Sequence, residues 1–205
     1  LVFIDSTQGW LVTDSGLQSE APTAAFIVAT GGTISTCGNF KSHVFTGPGT
    51  FTVCSVGNAA GSNTVDYMVV AGGGGGGRGS SPAYMGGGAG AGGFRISNSI
   101  GCVPSPAMSP LANPTGLPVS AQGYPIVVGG GGAAAPSDNN KGTAGVASSF
   151  STISSAGGGQ GGGNTNPDSV GGPGGSGGGG TSGGGGGTGN TPPVSPPQGQ
   201  NGTTG

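Results

Sequence analysis

Of 205 residues, 54 are glycine, 31% are hydrophobic and 5% are charged, with a formal net charge of −2. Ordinary soluble domains hold about 7% glycine and about 25% charged residues, so this composition excludes coiled coils, helix bundles and conventional globular enzymes, because glycine interrupts helices. Four Lys and Arg residues cannot neutralise enough phosphates for a nucleic-acid partner, and no apolar run approaches the roughly 18 residues of a membrane-spanning helix.

The chain opens inside an apolar run, Leu1-Val2-Phe3-Ile4, and we expect a C-terminal piece of a larger polypeptide. With Trp10-Leu11-Val12-Thr13 across the polar turn 5–9, this run predicts a hairpin. Residues 14–23 are polar, contain Gly16 and Pro22, and suit a linker. Phe26–Ala29 predicts a strand ended by Gly31-Gly32. Segments 41–46 and 50–54 flank Gly47-Pro48-Gly49 and predict a second hairpin, with Phe51 and Val53 alternating with Thr50 and Thr52. Val65–Val70 predicts one strand running into the first glycine block. Beyond it, Tyr124–Val128 and Phe150–Ser155 predict two more strands, each feeding a glycine run.

Glycine changes density sharply at Ala71-Gly72: nine precede that point and 45 follow it. Runs at 72–77, 86–93, 129–132, 157–163, 171–180 and 183–187 recur at irregular spacing, which excludes a fixed-period solenoid. Ordering a residue costs about 1–2 kcal/mol, most of all for glycine. An extended helix of three residues per turn has no internal hydrogen bonds, but such rods can bond to one another, and only glycine lets backbones approach closely. The expected result is a lattice of rods whose core is amide rather than hydrocarbon, with loops and Pro-rich connectors at its ends. Flexible linker is the other reading of such runs; the apolar strands between them argue against it.

Val44–Val53 (VFTGPGTFTV), Val65–Gly77 (VDYMVVAGGGGGG), Gly86–Arg95 (GGGAGAGGFR), Pro125–Gly132 (PIVVGGGG) and Phe150–Gly163 (FSTISSAGGGQGGG) together resemble the glycine-rich domain at the C-terminal end of bacteriophage tail-fibre and related virion proteins. The resemblance covers about residues 30–205, and Leu1–Val12 is similar to the end of a preceding β-rich module in such proteins, often trimeric. A related phage adhesin family builds a sandwich of polyglycine II helices whose tip loops choose the receptor. The resemblance implies that arrangement here. The expected fold is an all-β N-terminal part (hairpins, small sandwich) followed by a polyglycine II helix sandwich, with almost no α-helix. Residues 1–30 would end a preceding module, 31–70 would form a β attachment segment, and 71–205 the glycine-rich domain. This chain departs in a Pro-rich insertion at 102–125 and a Pro-rich stretch at 191–197.

Catalysis finds little material. His43 reads as a satisfied strand histidine, the six acids are scattered singly, and GxGxxG matches lack a following helix. Cys37, Cys54 and Cys102 read as reduced thiols acting as small apolar residues, with a Cys37–Cys54 bridge as the alternative. Residues 138–140 and 164–168 could offer oxygens to calcium, but their plain reading is Asx-turn chemistry. No cofactor or metal is expected. Binding is better supplied. Arg78, Tyr84, Met85, Asp138, Asn139, Asn140, Lys141, Asn164, Asn166 and Asp168 lie in loops between runs, where a rigid frame presents adaptable polar groups. Phe94, Tyr124 and Phe150 are expected to cap rod ends, and Arg95 to bond carbonyls there. The expected function is a non-catalytic tail-fibre or adhesin tip, located in the virion. Its partners would be itself as a homotrimer, other fibre proteins, and a host-surface glycan or outer-membrane protein. The alternative is a structural fibre, capsid-decoration or filament protein without a ligand. An ice-binding protein would need strict Gly-x-x periodicity, which is lacking.

Overall fold

A computed structural model describes residues 2–5, 9–11, 23–80, 85–99, 111–165 and 167–205. Among these residues there is no helix; the regular elements are short strands. β1 (Val2–Asp5) and β2 (Gly9–Leu11) pair antiparallel, with Phe3 opposite Trp10, as the opening pattern predicts.

The main sheet has five strands in the order β14-β13-β12-β6-β3. These are β3 (Val28–Thr30), β6 (Gly49–Ser55), β12 (Gly123–Val127), β13 (Ser148–Phe150) and β14 (Ile153–Ser155). It takes strands from both sides of Ala71, so the composition boundary is not a boundary of the sheet. Its buried face carries Ala29, Phe51, Val53, Tyr124, Phe150 and Ile153, joined by Tyr67, Val69 and Val119. The Phe150 ring meets Phe51 edge-on at 5.7 Å and Tyr124 at 6.0 Å, a geometry that adds to the burial. Phe150 and Tyr124 are therefore core residues of the sheet.

Three strand predictions change. The segment 41–46 does not pair with 50–54. β5 (Phe40–Val44) pairs instead with β4 (Thr33–Cys37) through the two-residue turn Gly38-Asn39, with Gly38 at φ 56°. β6 is occupied on both edges, by β3 and β12, leaving no edge for β5. Phe150–Ser155 is not one strand either. Ser151, at φ 53°, turns the chain so that β13 and β14 form a tight hairpin.

Val65–Val70 also divides, into β7 (Thr64–Val65) and β8 (Met68–Val70). The Asp66 carboxylate between them accepts from the Ser97 hydroxyl at 2.9 Å, the Ser99 amide at 2.9 Å and the Ser99 hydroxyl at 3.0 Å. β8 pairs with β9 (Phe94–Ser97), which continues onto β10 (Ala112–Asn113), while β7 pairs with β11 (Leu117–Pro118). Cys37 and Cys54 are free and both are exposed, so the expectation of small apolar core residues fails for these two; Cys102 lies outside the described residues. His43 is satisfied, with Nδ1 2.8 Å from the Gly31 carbonyl oxygen and its ring edge-on to Phe51.

The Tyr124 hydroxyl receives the Ser120 amide at 2.8 Å and lies 3.2 Å from the Ser120 hydroxyl. The Ser120 side chain, then its backbone, hold the phenol below the ordinary tyrosine value. Subtracting the absorbance titration of Tyr124→Phe from that of the wild type is expected to leave a transition below that of free tyrosine. A transition at or above it removes this account.

The glycine segments bond to each other with a repeat of three. In the run starting at Ala71, the amides of Ala71, Gly74 and Gly77 donate to Gly93, Gly90 and Gly87. The amides of Gly72, Gly75 and Arg78 donate to Val146, Thr143 and Asn140. The carbonyls of Gly72 and Gly75 accept from Gly158 and Gly161, and those of Gly73 and Gly76 accept from Gly132 and Ala135. One run thus touches four neighbours, each at every third residue. The run 156–163 is similarly enclosed: a Cβ at Gly157, Gly158, Gly159 or Gly161 would fall 1.9–2.0 Å from a backbone oxygen. These segments are ordered and mutually bonded, and the flexible-linker reading does not apply to them.

Candidate functional site

The bonded segments run back and forth between two ends. At one end they emerge from strands: Ala71 follows β8, Gly129 follows shortly after β12, Ala156 follows β14, and Gly93 leads into β9. Phe94 and Arg95 therefore belong to β9 at this strand end, away from the other candidates; Arg95 stands opposite Val69.

The other end is built from loops. The first run finishes at Arg78, whose amide donates to the Asn140 carbonyl at 3.0 Å. Residues 138–141 join the run starting at Gly129 to its antiparallel neighbour. Gly163 ends another run, and its amide donates to the Asp168 carbonyl at 2.6 Å. Gly163 also lies against the backbone of Asn139 and Asn140, where a Cβ would sit 2.1 Å from the Asn139 oxygen. The Thr181 hydroxyl donates to the Gly163 carbonyl, and the Ser182 hydroxyl to Asn164 Oδ1. Gly86, next to Met85, packs on the backbone of Gly77 and Arg78. Thus Arg78, Met85, Asp138, Asn139, Asn140, Lys141, Asn164 and Asp168 share one end. Tyr84 and Asn166 lie outside the described residues.

Within the cluster, Arg78 Nε meets Asp138 Oδ1 at 2.7 Å, with both side chains about half exposed. Lys141 Nζ lies 3.9 Å from Asp168 Oδ1. Exposed pairs of this kind stabilise a fold by about 0–1 kcal/mol, so they orient side chains rather than hold the lattice. Asn140 Nδ2 donates to Ser137 Oγ at 2.6 Å. Asn139 takes φ 66°, a left-handed conformation that asparagine tolerates, and its side-chain oxygen is buried without a hydrogen-bond partner. Met85 is 80% exposed.

The two acids that a calcium reading would use are each paired with a cation, and among the described residues no group of three His, Cys, Asp or Glu could hold a metal ion. Chemically, the end offers paired charges, amides, hydroxyls and one bare thioether on a stiff support. The sequence reading did not single out Ser137, Thr181 and Ser182. The signal available for the last two was Thr181-Ser182-Gly183 between runs, where Ser182 and Gly183 take φ 49° and 77°.

A family model described as a glycine-rich domain matches residues 45–205. No curated protein and no solved structure matches the chain.

Proposed function

We propose, from the premise that this chain belongs to the glycine-rich domain family, that it is the attachment end of a bacteriophage virion fibre. In this reading the mutually bonded segments are a polyglycine II sandwich, and the strand end joins the rest of the fibre as a homotrimer. The loop end touches a glycan or an outer-membrane protein on the host surface, without covalent chemistry. The three-residue bonding repeat supports the rod assignment, since an extended helix of three residues per turn presents every third amide to the same neighbour.

The observation that carries the attachment reading is the gathering of candidate loops at one end, opposite the strands. A lattice serving only as a shaft has no need to collect Arg78, Asp138, Asn140, Lys141, Asn164 and Asp168 at the end remote from its strands. Loops on a rigid frame are where recognition is placed in many proteins.

The test is binding of the labelled chain to a panel of bacterial cells, with wild type compared to a double variant, Asn139→Gly with Asn140→Ala. Glycine keeps the left-handed backbone at 139, and the Asn140 change removes only an exposed bond to Ser137. Adsorption is expected to fall at least about tenfold, with thermal stability nearly unchanged. Equal adsorption by both proteins would sink the attachment reading and favour a purely structural role.

A further inference from the structure

Asparagine loses its side-chain amide fastest where glycine follows it, because no Cβ hinders the approach of the next backbone nitrogen to the side-chain carbon. In a chain with 54 glycines, only Asn201-Gly202 makes such a step. The step lies in the segment 198–205, whose bonds follow the three-residue repeat. The carbonyls of Gln200 and Thr203 accept from the amides of Gly177 and Gly180, and the amides of Gly202 and Gly205 donate to Gly187 and Gly184. Asn201 itself is exposed, so water reaches its side chain.

Both reacting groups are tied to the neighbouring segment 183–190. The Gly202 N–H donates to the Gly187 carbonyl at 2.8 Å. Asn201 Oδ1 accepts from the Gly189 amide at 2.8 Å, which holds the side chain against that segment. Backbone closes over the pair: a Cβ at Gly186 would lie 2.2 Å from the Gly202 oxygen, and one at Gly189 would lie 2.1 Å from the Gln200 oxygen. Ring closure needs the Gly202 nitrogen stripped of its proton and turned onto Asn201 Cγ, so the bond to Gly187 must open first.

We infer that Asn201-Gly202 is a self-modification site that the lattice holds shut and that opening of the segment 198–205 releases. The Gly202 nitrogen gives its proton to hydroxide and bonds to Asn201 Cγ. The Cγ–Nδ2 bond breaks, and Nδ2 leaves as ammonia with a proton taken from water. Water then adds to one carbonyl of the cyclic imide, the bond from that carbonyl to nitrogen breaks, and the nitrogen takes the proton. Opening at Cγ gives aspartate, whose carboxylate still accepts from Gly189. Opening at the main-chain carbonyl gives isoaspartate, in which the backbone runs through the side chain and is longer by a methylene. The residues beyond it then miss the repeat, and the bonds from Gly180 to Thr203 and from Gly205 to Gly184 fall out of register. Conversion runs one way, so the modified fraction records how often the segment has opened. The inference is independent of the attachment reading, since it needs no receptor.

The experiment incubates the full chain at mildly alkaline pH and follows the peptide containing Asn201 by mass spectrometry, with isoaspartate scored by enzymatic methylation. Folded wild type is expected to convert at least about tenfold more slowly than the same chain in denaturant, since attack waits on local opening. Two variants that each add one methyl group direct the test. Gly186→Ala presses on the Gly202 backbone and is expected to convert faster than wild type, whereas Gly185→Ala, with nothing within 4 Å of the new carbon, is expected to convert at the wild-type rate. Hydrogen exchange of the Gly202 amide on the same samples guards against loss of fold: conversion is expected to follow its protection in every variant, including one that unfolds. Conversion of folded wild type at the denatured rate, or rates that ignore Gly202 protection, overturns the inference. In the isoaspartyl product the Gly180 amide is expected to lose protection while that of Gly177, bonded ahead of the modified residue, keeps it. Equal protection of the two overturns the register shift.

Discussion

Gly158→Ala is expected to unfold the glycine segments, whereas Gly130→Ala leaves them intact. The two substitutions add the same methyl group and differ only in what surrounds it. At Gly158 the new Cβ would lie 2.0 Å from the Gly90 carbonyl oxygen and 2.7 Å from the Gly74 amide nitrogen. Both neighbours are backbone, so no side chain can rotate away. The Gly90 carbonyl accepts from Gly74, the Gly158 amide donates to Gly72, and the Gly158 carbonyl accepts from Gly145. Separating these segments breaks several bonds at once. Overpacking a core with flexible side chains typically costs about 1–3 kcal/mol, and a rigid backbone wall raises the cost beyond that range. At Gly130 nothing lies within 4 Å of the added carbon, and removing glycine from the unfolded chain even favours folding by a few tenths of a kcal/mol to about 1 kcal/mol. Denaturant unfolding of the two variants checks this. Equal midpoints would mean that the segments are not packed backbone to backbone.

The same packing explains why hydrogen bonding carries so much here. Each bond contributes about 0.5–1.5 kcal/mol net, close to the cost of ordering the residue that makes it. The lattice gains little per residue and holds through the number of bonds each segment makes. It also starts from strands whose aromatic core orders the segment ends. Tyr124, Phe150 and Phe51 are thus upstream of the loop end: the sheet fixes where the runs begin, and the runs fix where Arg78, Asn140 and Asp168 meet.

How much of this was legible in the sequence depends on whether the information is local. The glycine runs announced close backbone approach, because no other residue permits it. They did not announce which run lies against which, since every glycine is chemically the same. The loop candidates were readable as the polar and charged residues between runs. Their meeting at one end follows from the direction each run takes, which the strands set. Strand pairing failed where partners are remote. β6 looked like half of a hairpin with 41–46, yet its edges are taken by Val28–Thr30 and by Gly123–Val127, more than sixty residues downstream of β6. The signal that was missed, Gly38-Asn39 between Cys37 and Phe40, is a two-residue turn and was local. Arg95, expected at a rod end, stands in β9 opposite Val69, a place decided by strand pairing that the local sequence does not carry.

Gln198→Leu is expected to cost about 2–6 kcal/mol, the second large effect, although no loop candidate is touched. Sequence reading treats 191–197 as a connector, but the structure turns it into a clasp. Gln198 is only 2% exposed. Its Oε1 accepts from the Ala156 amide at 2.7 Å, and its Nε2 donates to the Pro192 carbonyl at 2.8 Å. Its own carbonyl accepts from the Phe94 amide at 2.9 Å, and its amide donates to Asn190 Oδ1 at 3.3 Å. One residue therefore ties the end of β14, the start of β9 and the proline turn together where strands become glycine runs. Leucine preserves the volume but leaves the Ala156 amide and the Pro192 carbonyl without these partners. Losing partners at two such groups costs about 1–3 kcal/mol each. Gln198→Glu separates the two losses: where the acid is protonated, its carbonyl oxygen still accepts from Ala156 and its O–H can donate to Pro192, so the variant is expected to approach wild type, and where it is ionised it keeps the acceptor but loses the donor, so stability is expected to fall. Hydrogen exchange gives the local readout: in Gln198→Leu the amides of Ala156, Phe94 and Gly93 are expected to lose protection before those of Gly75 and Gly161. Uniform loss across all of them, or none, would show that the proline turn does not pin the junction between strands and runs.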